Sequence, residues 1–284
     1  MQRVDAPEIL DSDTCSAAEV QAVLKTLGRI NRWFGGVATT QSLVERVADV
    51  TDRKTLSLLE VASGAGEVPL LVREGVAQRG ISLTVTLLDR ARSHLVQTHL
   101  GETHLVQTHL AQSGTSKKDE ALGTSAVAAH ALALPFSDGA FDLVSCSLFA
   151  HHLPPEQLTT FVGEALRVSR LGLLINDLVR HPMHLTLVYA SFPIMGSRIA
   201  WLDGLTSVRR AYRPSEMRAM LSSCAPALAK IEISRHYLFR MGVIVWKKSP
   251  GRDRSYGSAL TDNQHFPDAV SRQKEFDRSE IPKQ

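Results

Sequence analysis

Ser57-Leu58-Leu59-Glu60-Val61-Ala62-Ser63-Gly64-Ala65-Gly66-Glu67-Val68-Pro69 runs from an apolar strand through a turn of small residues straight into a helix. Small residues let the backbone come close to a ligand, and the helix that follows turns unpaired N–H groups toward a carboxylate or phosphate. Glu60 stands just before the turn. A second carboxylate, Asp89, ends the next apolar run at 83–88. Two acidic strand ends beside a glycine turn suit a nucleoside.

Outward from this turn, apolar runs alternate with helical patterns: 56–61, 67–78, 83–88, 91–111, 125–130, 141–145, 155–170 and 171–177. Such alternation means βαβ crossovers and a mostly parallel sheet. Upstream, Val20, Val23, Leu24, Leu27 and Ile30 repeat at helical spacing, and Leu43, Val44, Val47 and Val50 do so again after Trp33-Phe34-Gly35-Gly36. Two helices therefore precede the sheet. Downstream, an apolar segment reaches Leu202, a helix opens at Pro214, and runs at 230–234 and 239–246 lie too close for a crossover helix, so they pair antiparallel. The expected fold is α/β, a doubly wound Rossmann-like seven-stranded sheet, mostly parallel with the last strand antiparallel, under an N-terminal helical lid. Residues 1–50 form the lid, 51–248 the core, and 249–284, polar and poor in clustered apolar residues, a disordered or loosely attached tail.

Composition narrows the function. An apolar fraction of 44% over 284 residues fills one large core, and a formal charge of +3 is too weak and dispersed for a nucleic-acid surface. Cys15, Cys146 and Cys224 are far apart with no CxxC pair, which reads as reduced thiols rather than disulfides or a zinc site. No uncharged apolar run of membrane length occurs, so a cytoplasmic protein without a membrane span is expected. A near-perfect repeat of His-Leu-Val-Gln-Thr-His-Leu stands at 94–100 and 104–110. Its histidines, His94, His99, His104 and His109, walk around a helix at five-residue spacing and line no single face, so no metal is assigned to them.

Taken together, 55–248 resemble the class I S-adenosylmethionine-dependent methyltransferases, in particular small-molecule enzymes of the ubiquinone and menaquinone C-methylase group. The family's acid-x-Gly-x-Gly-x-Gly turn is matched by Glu60, Ala62, Gly64 and Gly66, with Ala62 at the first glycine. Alanine is tolerable there if φ is negative and one methyl has room. Asp89 matches the acid that binds the ribose hydroxyls. The most specific stretch is Ala131 to Val144, with Leu134-Pro135-Phe136 and Asp138-Gly139-Ala140-Phe141-Asp142 leading into strand four. His130 occupies the place of the usual adenine-binding aspartate, where a neutral imidazole still accepts one hydrogen bond and the Ala131 N–H assists. The resemblance implies S-adenosylmethionine as cofactor, bound by Glu60, Ala62, Ser63, Gly64, Gly66, Asp89, Arg90, His130, Ala131 and Ser147.

The same resemblance implies methyl transfer to oxygen or carbon of a small apolar acceptor, phenolic, quinone-like or polyketide-type. Ligands of open α/β sheets sit beyond the carboxyl ends of the strands, where His151, His152 and Asp177 fall. His151 is the preferred base and Asp177 the orienting acid or pocket wall. Arg180, Arg209, Arg210 and Arg213 are either solvated surface charges or contacts for an acidic substrate. Trp33 and Phe34 are either a hinged aromatic shield or packing between two helices. Two rival readings are a binding protein that keeps the fold without transfer, and a nicotinamide oxidoreductase. The second is disfavoured because Pro69 stands where a third glycine is needed and no Tyr-x-x-x-Lys pair exists. The Asn/Asp-Pro-Pro-Tyr signature of amine methylation is absent after strand four, where Ser145-Cys146-Ser147-Leu148 stands, so nucleic-acid amines are not the expected acceptors.

Overall fold

The computed structural model describes residues 1–11, 16–91, 95, 124–224 and 230–247. Cys15, the helix expected over 91–111 with its repeat, apart from Ala91 and Leu95, and the tail from 249 onward lie outside these residues. Within them, seven strands form one sheet in the order β3-β2-β1-β4-β5-β7-β6. The strands are β1 (Thr55–Val61), β2 (Ser82–Asp89), β3 (Thr124–Ala128), β4 (Phe141–Ser147), β5 (Ser169–Leu178), β6 (Ile231–His236) and β7 (Arg240–Trp246). The first five run parallel, while β7 is antiparallel to both of its neighbours, as the short connection to β6 requires. The central strands are continuous apolar runs because both faces are covered, and Leu58, Leu59, Val144, Leu173 and Val243 are fully buried.

Helices α1 (Ala17–Trp33), α2 (Gly36–Thr51), α3 (Glu67–Ala77), α4 (Pro155–Val168), α5 (Pro182–Ala190), α6 (Phe192–Met195), α7 (Arg198–Arg210) and α8 (Pro214–Cys224) cover the sheet and its carboxyl edge. Helix α1 opens on a capping box in which Ser16 and Glu19 satisfy each other's backbone N–H groups. The apolar stretch after Met183 resolves into α5, α6 and α7, broken at Ser191 and at the left-handed Gly196.

The α1–α2 junction is fastened to the sheet by polar groups. Arg240, fully buried on β7, donates to the Phe34 carbonyl at 2.9 Å, to Asn31 Oδ1 at 2.8 Å and to Asn176 Oδ1 at 3.2 Å. Asn176 in turn donates to the Gly36 carbonyl and to Thr40 Oγ1. Burial lowers the Arg240 pKa to about 10, which leaves it charged at neutral pH. Substituting Arg240→Met is expected to cost about 3 kcal/mol, since each bond to a charged donor contributes on the order of 1–3 kcal/mol and its partners stay buried. A denaturant midpoint within error of the parent would contradict that role.

Strand order reverses between β1 and β4, so the crevice of an open α/β sheet lies beyond the carboxyl ends of those two strands. Both acidic strand ends and the histidine pair fall there.

Candidate functional site

The glycine turn is built by three hydrogen bonds from its backbone. Ser63 N donates to the Leu88 carbonyl at 3.0 Å, Gly66 N to the Ser63 carbonyl at 2.9 Å, and Gly64 N to Asp89 Oδ2 at 2.9 Å. The other oxygen of Asp89 accepts from Ala91 N at 2.9 Å. Asp89 thereby ties the end of β2 to the turn after β1. A cavity of about 460 Å³ opens over this turn. Glu60, Ala62, Ser63, Gly64, Asp89, Arg90, His130, Ala131 and Ser147 all line it.

Two expectations about the turn need correction. Ala62 has φ of 55°, not a negative value, so it sits where glycine is preferred and stores strain of about 1–2 kcal/mol. Gly66 does not line the cavity. It starts α3 at φ of 73°, and an added Cβ would lie 2.5 Å from Leu87 Cδ1, so packing against β2 demands this glycine.

Glu60 is buried at the end of β1 and accepts from Ser145 Oγ. Burial raises its pKa to about 7, partly offset by hydrogen bonds from Ser145 and Ser147. A folded value above the ordinary 4.5 means the folded state binds the proton more tightly than the unfolded chain. The resulting stability is complete below pH 4.5 and is lost as pH rises through about 7. The ligand-free protein is therefore expected to lose about 3 kcal/mol between those limits relative to Glu60→Gln. Parallel pH profiles of the two unfolding midpoints would refute this.

His130 is exposed, and its Nδ1 accepts from Leu132 N at 3.2 Å, so Nε2 carries the ring N–H and faces an incoming ligand as a donor, contrary to the expectation that the ring accepts from the adenine amino group. Helix α1 covers the cavity through Leu24, Leu27, Gly28 and Asn31. Gly28 lets α1 come close to α3, and a Cβ there would meet the Glu67 carboxylate and force that side chain to move. Trp33 and Phe34 do not form the inner face of this cover. Trp33 is 70% exposed and neither aromatic lines the cavity.

A second cavity of about 130 Å³ adjoins the first, and Glu8, Leu10, Leu27, Leu148 and His152 belong to the walls of both. Its remaining lining is mainly apolar, from α1, α5 and α7, with polar groups from His151, His184, Asp203 and Arg240. His151 and His152 lie on a single 3-10 turn, Ala150–His152, directly after β4. Asp177, on β5, holds His151 twice: its Oδ2 accepts from the backbone N–H at 2.8 Å, and its Oδ1 lies 2.6 Å from ring Nδ1. Asp177 lines neither cavity and sits behind the imidazole.

Glu8 was not singled out by the sequence. Residues 1–11 cross the mouth of the sheet as a strap, with Ile9 N and Leu10 N donating to the two oxygens of Asp203 and Arg3 donating to the carbonyls of Arg210 and His151. The strap brings Glu8 Oε1 within 3.4 Å of His151 Nε2 and Oε2 within 3.6 Å of His152 Nε2, and Ser207 Oγ donates to Oε1 at 2.7 Å. Burial opposes a charge on His151, but Asp177 and Glu8 outweigh it and raise the ring to about 9. Burial likewise opposes the Asp177 carboxylate, and His151 outweighs it and holds Asp177 below its ordinary range. At neutral pH the ring is an imidazolium.

The arginines divide. Arg180 is buried and structural, donating to the Ala211 carbonyl and to Glu216 Oε1, whereas Arg210, also buried, donates to the His152 carbonyl and lines the first cavity. Arg209 donates to Tyr189 Oη, and Arg213 to the Met1 carbonyl. Among the described residues, no helix is long and apolar enough to cross a membrane, and Cys146 and Cys224 are free thiols.

Against this geometry, residues 59–175 match a family model described as a methyltransferase domain. No curated protein matches the chain. Among solved structures, the plantazolicin methyltransferase BamL, in complex with a triazolic desmethylPZN analog and SAH, superposes with a TM-score of 0.55 at 12% identity, over 82% of this chain and 96% of that one. An O-methyltransferase family 2 protein from Planctomyces limnophilus, in complex with apigenin, gives 0.52 at 16% identity, over 84% of this chain and 63% of that one. A SAM-dependent methyltransferase from Aquifex aeolicus gives 0.50 at 14%, over 82% and 99%. Identities this low establish a common fold alone.

Proposed function

We propose, from the premise that this chain carries a class I S-adenosylmethionine-dependent methyltransferase domain, that it methylates oxygen or carbon of a small, largely apolar acceptor seated in the second cavity. The observation that carries this reading is the junction of two cavities, one floored by the glycine turn and both acidic strand ends, the other apolar and guarded by His151.

The first cavity fits an adenosyl sulfonium by its own chemistry. Its floor is backbone and small residues, Ser63 Oγ is buried there without a hydrogen-bond partner among the described residues, and two carboxylates face a ligand rich in hydroxyls and positive charge. Asp89 would take the ribose hydroxyls, Glu60 the cationic amino-acid end, and His130 with Ala131 the adenine. When bound, the cofactor supplies a methyl group already activated for in-line displacement. The chain then has to exclude water and align the acceptor. Helix α1 and the strap close the site, and Asp177 fixes the His151 ring so that Nε2 is the atom presented at the seam.

A cavity of about 150 Å³ accommodates a benzene-sized group, so the second cavity matches a single ring of the acceptor, phenolic or quinone-like. Val23, Ile30, Val188 and Val208 supply its apolar walls. A cytoplasmic setting is consistent with the free thiols. Calorimetric titration with S-adenosylhomocysteine tests the reading directly. Binding at one site per chain is expected, and absence of both heat and thermal shift would defeat it.

A further inference from the structure

We propose that Glu8, His151 and His152 form a binding site for a divalent transition-metal ion of the Zn²⁺ type, at the seam between the two cavities. This rests on the reading above and deepens it by naming what would polarise the acceptor.

Three observations carry it. The ligand atoms stand near coordination spacing: Glu8 Oε1 is 3.4 Å from His151 Nε2, the other carboxylate oxygen, Oε2, is 3.6 Å from His152 Nε2, and one atom from each of the three groups lies within 4.8 Å of the others. Ligands about 2.0–2.1 Å from a tetrahedral ion are about 3.3 Å apart, so an ion fits between them with small movements. Next, His151 Nε2 is buried, makes no hydrogen bond among the described residues and points into the cluster. Last, the far side of that ring is held by Asp177 at 2.6 Å. A metal-ligating histidine almost always gives its other N–H to such a carboxylate, which fixes the tautomer and strengthens the donor. Ser207 donates to Glu8 and orients the third ligand in the same sense.

Two imidazoles and one carboxylate favour Zn²⁺, Fe²⁺ or Co²⁺ over Mg²⁺, which prefers oxygen. Three protein ligands leave a fourth tetrahedral place for water or an acceptor oxygen, the pattern of catalytic rather than structural sites. A hydroxyl bound to the ion would ionise more readily.

The test uses the full chain stripped with chelator and titrated with Co²⁺, followed by visible absorption, and with Zn²⁺, followed by calorimetry. One equivalent is expected to give the strong d–d bands of a low-coordinate Co²⁺ site. His152→Ala and Glu8→Gln are expected to lose the bands and weaken Zn²⁺ binding at least tenfold, and Asp177→Asn, which removes support without removing a ligand, about 10- to 100-fold. His152 is partly exposed, so its variant keeps the test decisive should Glu8→Gln fold poorly. No bands in the parent, or equal bands in parent and His152→Ala, would overturn the site, the latter because other histidines would then hold the ion. Parent protein that binds S-adenosylhomocysteine but no Co²⁺ would overturn the ion site alone and leave methyl transfer standing.

Discussion

Replacing Asp89 with alanine is expected to weaken S-adenosylhomocysteine binding by about a hundredfold or more. The carboxylate is placed to do two things at once. It accepts from Gly64 N and Ala91 N, so it fixes the turn that floors the cavity, and those bonds use two of its roughly four acceptor positions. Hydrogen bonds to a charged group contribute on the order of 1.5–3 kcal/mol each, and losing two or more corresponds to at least two orders of magnitude in affinity. An Asp89→Asn variant keeps the shape of the side chain but only one acceptor oxygen, so an intermediate loss is expected. A dissociation constant for the alanine variant within about threefold of the parent would show that the cofactor does not sit against β2.

His151→Ala is expected to lower turnover by about 10²-fold or more while changing cofactor affinity little. Groups that assist proton transfer or polarise a reacting oxygen contribute roughly 10²–10⁴. His151 lines the second cavity and not the first, so removal should spare the cofactor. Comparing kcat with the S-adenosylhomocysteine dissociation constant separates the roles. Equal losses in both would make His151 a general support of the fold, and unchanged turnover would remove it from the chemistry. Because the ring is buried and bound to Asp177, melting curves must accompany the kinetics.

Much of this architecture can be read from the chain because it is local. The turn at 62–66, the alternation of apolar runs and the closing hairpin each depend on residues within one or two elements. Most of the first cavity's lining follows too, since strand ends and tight turns sit where topology places the crevice. What escapes is long-range. The sign of φ at Ala62 is set by the bonds that hold the turn, not by the residue, and alanine is carried into a conformation it does not prefer. Trp33 and Phe34 share a helix end with residues that do line the cavity, yet the register of α1 aims both outward. Arg180 and Arg210 look like surface charges until the end of α7, α8, the strap and the turn after β4 supply carbonyls and a carboxylate to bury them. Glu8 has no local signature at all. It reaches His151 only because Asp203 and Arg3 pin the strap across the sheet.

The wall that the two cavities share sets how their occupants influence each other. Glu8, Leu10, Leu27, Leu148 and His152 cannot be moved by a guest on one side without changing the space on the other. Free-energy linkage is reciprocal, so whatever factor the donor imposes on acceptor affinity, the acceptor imposes on the donor. On the proposed reading, the affinity of either cavity for its guest would therefore depend on whether the other is filled.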